Sequence, residues 1–413
     1  MTHEEPAREP EPGDSGPRSG RKIWGLDRNV FLSSVLGVNK SLIGVIEGIA
    51  ETTASLLKMF AGWLSDRLGR RKPLMLFGYS VSTLSRPLLA LAGSWGVVLG
   101  ARFVDRFGKG VRTAPRDAIV ADSCEKKELG RSFGFHRAMD QFGAVVGPAV
   151  AFLVLTLRPG GYRTVFWISL IPGVLCVLVI ALFIRERRLR FTDGGACEDT
   201  GAGEVRPRGP TGPVGSGPKV RLRRLRRLRG PLAAYLVVTA AFSLGNSSDA
   251  FLILRAQELR VATVMIPVLY LMFNLVYSLL SIPAGLLADR VGRRRVALLG
   301  FAVFAGAYAW MALARSQAAV WGVFAVYGAY MAIADGNGRA LLAEFSSYER
   351  RGTAFGAYHM VVGLAALPSS VLAGLLYDYV SGAAPFWLGA AGAVLAGILM
   401  LALVPEPRRA LRV

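Results

Sequence analysis

The chain has 413 residues, of which 53% are apolar and only 19% charged, and it contains 48 glycines. A soluble fold of this length needs more polar surface. The net charge of +21 would suit a nucleic-acid binder, but the basic residues sit in short connectors between apolar runs. That is the positive-inside pattern of a membrane protein, not a continuous phosphate-binding face.

Residues 1–30 begin MTHEEPAREPEPGDSGPRSG, an acidic, proline-rich stretch expected to be disordered. It has no apolar core behind a basic end, so it does not read as a cleaved signal peptide. Residues 23–38 are apolar but too short to cross a bilayer, and they hold Asp27 and Arg28. The next span ends at Asp66 and carries Glu47, Glu51 and Lys58. Glu47 and Glu51 share a helical face, where a carboxylate in apolar surroundings either takes up a proton or neutralises nearby arginines. The turn that follows needs Gly69 to reverse the backbone, and Arg67, Arg70, Arg71 and Lys72 hold it in the cytoplasm.

After the apolar run Leu74–Ala92 comes the most unusual span, Gly100–Asp122. Arg102, Asp105, Arg106, Lys109 and Arg116 fall at steps of three, four and seven, mostly on one helical face. Charge inside a membrane is expensive, so this face either lines a cavity or pairs internally as a ladder, with Asp105 in reach of Arg102 and Lys109. Gly108 and Gly110 permit close helix packing. The next span carries His136, Arg137, Asp140 and Gln141, then Gly143, Gly147 and Pro148, with His136 one turn from Asp140. Thr164–Ile184 closes a first bundle over 31–190.

Residues 191–230 form a Gly/Pro/Arg-rich linker. Its basic block, Arg221–Arg229, either lies on anionic lipid of the cytoplasmic leaflet or is a solvated, topology-fixing charge run. A second bundle covers 231–404, with a cytoplasmic tail at 405–413. Its apolar runs include Pro231–Leu254, Leu298–Ala314 and Ala383–Val404. Its polar intramembrane positions include Asn246, Asp249, Asn274, Tyr327, Tyr330, Asp335 and Arg339, which either face a cavity or bond between helices.

The two bundles are repeats. GWLSDRLGRRKP at Gly62–Pro73 returns as GLLADRVGRRRV at Gly285–Val296, 223 residues on. Glu128–His136 matches Arg350–Tyr358, and Ala118–Asp122 matches Ala340–Glu344, both at 222. Parallel repeats imply two equivalent bundles related by an axis along the membrane normal. Pro231, which opens the second bundle, lies 58 residues before Asp289, and the position 58 before Asp66 falls in a segment that cannot span. The first transmembrane helix therefore reads as missing. That leaves about 11 crossings and an N-terminus outside the cell, a placement that Arg18, Arg21 and Lys22 resist.

The repeated loop, G-x-x-x-D-R-x-G-R-R, resembles the signature of the major facilitator superfamily, and the resemblance covers about Phe31 to Val404. It implies an all-α membrane protein with two pseudo-symmetric six-helix halves, a central cavity and alternating access. It also implies a gating role for Asp66, Arg67, Gly69 and Arg70, with Asp66 meeting the start of the eleventh span near Gly352. Asp289, Arg290, Gly292 and Arg293 repeat that arrangement. For both loops the alternative is topology alone. Arg102, Phe103, Gly108 and Gly110 are similar to the family's fourth-span motif, whose arginine is linked to proton coupling. The additional Asp105, Arg106 and Lys109 point to an anionic or zwitterionic substrate, or to a charge relay. G-A-V-V-G-P at 143–148 resembles the antiporter motif of the fifth span, but Ala151 and Phe152 replace its last two glycines.

Cys124, Cys176 and Cys197 have no metal or disulfide spacing, and no nucleotide loop, nucleophile triad or metal cluster is visible, so no cofactor or enzymatic activity is expected. The sequence thus reads as a monomeric, multi-pass transporter of the cell membrane for a small organic solute, with proton-coupled export as the expected mode. The alternative is a non-transporting descendant acting as a sensor or scaffold.

Overall fold

The computed structural model describes residues 55–91, 95–157, 162–184, 230–262 and 265–406. Glu47, Glu51, the linker basic block, the C-terminal tail and the expected missing helix lie outside them. All regular structure among the described residues is helical. The first half comprises α1 (residues 55–68), α2 (Lys72–Ala90), α3 (Trp95–Asp122), α4 (Leu129–Leu157) and α5 (Tyr162–Phe183). The second comprises α6 (Pro231–Gly245), α7 (Ala250–Glu258), α8 (Ile266–Val291), α9 (Arg293–Leu313), α10 (Gln317–Phe345), α11 (Arg351–Tyr379) and α12 (Ala384–Leu403).

Proline starts several of these helices and bends others. Pro73, Pro231, Pro267 and Pro385 occupy first-turn positions, where a missing N–H costs nothing. Pro87, Pro115, Pro148, Pro172, Pro283 and Pro368 lie inside helices, where each removes one ladder bond. The reversals after α1 and α8 use Gly69 (φ 61°) and Gly292 (φ 113°), which side-chain-bearing residues rarely adopt.

Among the described residues seven helical segments are long and apolar enough to cross a membrane: Arg163–Phe183, Pro231–Glu258 and the five that follow. Pro231–Glu258 is α6 and α7 together, broken at Asn246–Asp249. α3 falls outside that set because charged residues run along it from Arg102 to Asp122. A helix so charged is tolerated in a bilayer only where protein or a polar cavity receives the charges.

The halves meet through α4 against α8 and α10, and through α11 against α3. Repeat-equivalent residues touch each other at this seam. Phe133 and its equivalent Phe355 are fully buried, with ring centroids 6.0 Å apart. Such self-contact marks the local twofold axis. Away from the seam, the second half holds an aromatic core that includes Phe273, Phe304, Tyr308, Phe324 and Tyr327. α5 instead exposes Ile171, Leu175, Leu182 and Phe183, an apolar face suited to lipid.

Candidate functional site

At the end that carries the arginine loops, each half places a carboxylate on the first turn of a helix in the other. Asp66 accepts hydrogen bonds from the backbone N–H of Gly352 (3.1 Å) and Thr353 (2.6 Å) and from Thr353 Oγ1 (2.7 Å). Asp289 accepts from the N–H of Gly130 (2.9 Å) and Arg131 (2.8 Å). Unsatisfied N–H groups and the positive end of a helix dipole favour a carboxylate there. The backbones must approach closely for this to happen. A Cβ on Gly130 would lie 2.6 Å from the Gly285 carbonyl oxygen, and one on Gly352 would lie 2.6 Å from that of Gly62.

One arginine secures each cap. Arg293 pairs with Asp289 (2.9 Å) and Glu344 (2.8 Å), and donates to the Lys126 carbonyl. In the other half the corresponding cation is Arg71, not the expected Arg70. Arg71 is 2% exposed, pairs with Asp66 (3.4 Å) and with Asp122, and donates to the Tyr348 carbonyl at 2.8 Å. Arg351 joins Asp122 at 2.5 Å. Burial lowers the Arg71 pKa from its ordinary value, against the pull of Asp66. Arg293 lies four residues after its aspartate and Arg71 five, so the loops are out of register by one residue at the cation. Arg70, Arg67 and Arg290 are exposed. Replacing Arg71 with Ala is expected to lower the melting temperature of the purified protein by several degrees, and Arg70→Ala to leave it within a degree. Equal effects would contradict this assignment.

A second cluster lies deeper, on the axis. Asp117 of α3 pairs with its own repeat equivalent, Arg339 of α10, at 3.0 Å. Asp117 is 0% exposed, and it also meets Arg116 at 2.9 Å and His359 at 3.6 Å. Arg339 pairs in addition with Asp335. Asp335 receives Arg137 of α4 at 3.0 Å and the Tyr277 hydroxyl at 2.5 Å. Arg137 also reaches Asp140 at 3.1 Å, and Arg116 reaches it at 3.8 Å. Three arginines thus face three aspartates across three helices, two from the first half and one from the second.

Beside this cluster is a cavity of about 180 Å³, lined by Tyr235, Thr239, Ser243 and Asn246 of α6 and by Tyr330 and Asp335 of α10, among others.

Of the expected site residues, Arg116, Asp140 and Asp335 enter the charge cluster. His136 is 3.9 Å from Asp140, beyond hydrogen-bond distance. Asn246 lines the cavity, and Asp249 accepts from Tyr327 at 2.7 Å. Asn274 is outside the cavity lining and donates to the Tyr270 carbonyl of its own helix at 2.9 Å. The expected ladder from Arg102 through Asp105 to Lys109 is also revised. Among the described residues Asp105 has no ion pair, and Arg106 and Lys109 are exposed. The reason is packing: α3 turns Gly108 and Gly110 toward Gly78 and Leu57. Further along, Arg112 stacks on the Tyr79 ring at 4.1 Å, and Arg116 and Asp117 enter ion pairs. The Arg102 side chain is outside the described set. Asp117 and His359 were not among the expected site residues, Arg71 and Arg137 were noted without a pairing role, and Arg339 was expected to face a cavity or bond between helices. The repeat offset already set Asp117 opposite Arg339 and Arg137 opposite His359.

A two-half helical membrane protein with reciprocal caps at one end and a polar seam is the architecture of a transporter. The sequence matches the Major Facilitator Superfamily over residues 29–255 and 232–413, and the chain belongs to that family. An uncharacterized MFS-type transporter of Methanocaldococcus jannaschii is 33% identical over 380 residues, covering 90% of this chain and 88% of the relative. The fold is similar to that of the human organic anion transporter MFSD10 (TM-score 0.65, 19% identity, 91% of this chain and 89% of the other). It is also similar to the proton:xylose symporter XylE (TM-score 0.66, 14% identity, 92% and 90%). The chain is a multi-pass membrane protein of a transporter family.

Proposed function

We propose that the chain moves a small organic solute across the cell membrane by alternating access, exchanging it for protons in the direction of export. The observation that carries this reading is the Asp117–Arg339 pair, which joins the halves on their axis beside the cavity. The two capped loops hold the cytoplasmic end shut in this state. Protonation of Asp117 would remove the partner that Arg339 finds in the other half and loosen the seam. Within the cluster three arginines balance three aspartates, so Arg116 of α3 acts as a structural counter-ion to Asp117.

Reconstitution into proteoliposomes with a trapped pH dye tests the proposal. Adding a transported solute under an imposed pH gradient is expected to discharge the gradient, and a protonophore to abolish solute accumulation. Solute flux indifferent to both would remove proton coupling, and no flux across a broad solute panel would remove the transport reading.

A further inference from the structure

The span formed by α6 and α7 is interrupted where the cavity ends. α6 stops at Gly245, residues 246–248 leave the helix, and α7 resumes at Ala250. Non-helical backbone at membrane depth is stable only where it is buried in protein or lines a cavity, and breaks of this kind commonly form ligand sites. The α6 side of the cavity runs through Tyr235, Thr239, Ser243 and, just past the helix end, Asn246, and Asp249 lies three residues further on, beyond the break and outside that lining. The cavity side of α10 includes Tyr330, Ala334 and Gly338, and the preceding turn carries Tyr327. The Tyr327 hydroxyl donates to Asp249 Oδ1 at 2.7 Å, so the two rows converge there.

Asp249 differs from four other carboxylates of this half. Asp335, Glu258, Asp289 and Glu344 each pair with an arginine. Among the described residues no arginine, lysine or histidine pairs with Asp249, and its hydrogen-bond partner is a neutral phenol. It makes no capping bond to α7, and it is exposed although the five residues that follow it are buried. Asp249 stands between the negative C-terminal end of α6 and the positive N-terminal end of α7, so the carboxylate itself supplies the charge of the site. Aromatic rings stand behind the carboxylate. Tyr327 stacks on Tyr330 at 5.6 Å and on Phe273 at 5.5 Å, and Tyr308 donates to Asn246 Oδ1 at 3.4 Å.

We infer that Asp249 is the anchor of a binding site for a small organic ammonium ion. A carboxylate with no counter-ion among the described residues supplies the charge, and Tyr330, whose ring lines the adjoining cavity, supplies aromatic surface that favours an alkylated ammonium over a hydrated metal ion. No group of three His, Cys, Asp or Glu suited to a metal is present among the described residues. The inference deepens the transport reading by naming the class of solute, and it rests on that reading only for the movement of the ligand, not for its binding.

The test is equilibrium binding to purified full-length protein in detergent, with tetraethylammonium as the probe and benzoate and sodium as comparators. Wild type is expected to bind tetraethylammonium and to be stabilised by it against heat, with neither comparator matching it at equal concentration. Asp249→Asn should weaken binding at least tenfold, and Tyr327→Phe by a smaller factor. Asp249→Glu, which keeps the charge, should stay within about threefold. Wild-type selectivity decides the matter even if Asp249→Asn folds poorly. Equal binding by Asp249→Asn, stabilisation by benzoate instead, or a sodium effect as large as that of tetraethylammonium would each overturn the site. Gradient-driven flux of a neutral solute without ammonium binding would overturn this inference and leave the transporter intact. Ammonium binding at Asp249 without flux would do the reverse.

Discussion

Asp117→Ala is expected to be the most damaging single substitution in the described part of the chain. It strands Arg339 and Arg116, both largely buried, without the carboxylate that each meets at about 3 Å. Removing one partner of a buried ion pair costs about 3–5 kcal/mol because the remaining charge stays desolvated. The variant should lose much of its thermal stability in detergent and all of its flux. Exchanging the pair, as Asp117→Arg with Arg339→Asp, keeps the charges opposed across the axis. It should recover more stability than Asp117→Arg alone, while flux stays low because Arg116 and Asp335 then face like charges. A single Asp117→Ala variant with wild-type melting and wild-type flux would show that the pair carries neither load.

Gly62→Val is expected to prop open the end with the arginine loops. A Cβ on Gly62 would collide with the Gly352 carbonyl group, and that backbone cannot move without pulling Gly352 and Thr353 off Asp66. The state with both loops capped should be depleted. A cysteine introduced at Thr239, in the cavity wall, should then react faster with an impermeant maleimide added from the arginine-loop side. Unchanged labelling would mean that this glycine contact does not control access. Asp66→Asn should act in the same direction but more weakly, since an amide oxygen still accepts one of the backbone bonds.

The legible part of this molecule was the part that the repeat and the hydropathy encode. Helical spans follow from apolar runs, and the reversals at Gly69 and Gly292 follow from glycine beside arginine. The approach of Asp66 to the start of α11 followed from family resemblance joined to helix-end electrostatics. What the sequence left hidden was which charges meet. The stepped charges of α3 looked like a ladder within one helix, because spacing along a helix is visible and the neighbouring helices are not. Asp105 has no ion pair among the described residues, whereas Asp117 finds its partner 222 residues away. Arg70 was the expected loop cation because alignment equates it with Arg293. The backbone after Gly69 has a different φ from that after Gly292, and the neighbouring Arg71 points inward. Asn274 looked like a cavity residue, yet an asparagine can donate to the second lone pair of a carbonyl one turn earlier in its own helix, as Asn274 does to Tyr270.

The contact between Asp117 and Arg339 also constrains how such a chain arose. Two identical half-length subunits placed about the same axis would set this position against itself, aspartate facing aspartate or arginine facing arginine, which is repulsive in either case. Phe133 and Phe355 carry no such conflict, because an aromatic ring packs well on its own copy, and that site has kept one residue type in both halves. The charged pair therefore requires two copies that mutate separately. Its complementarity is a property that identical subunits cannot encode and that a chain free to specialise each copy can.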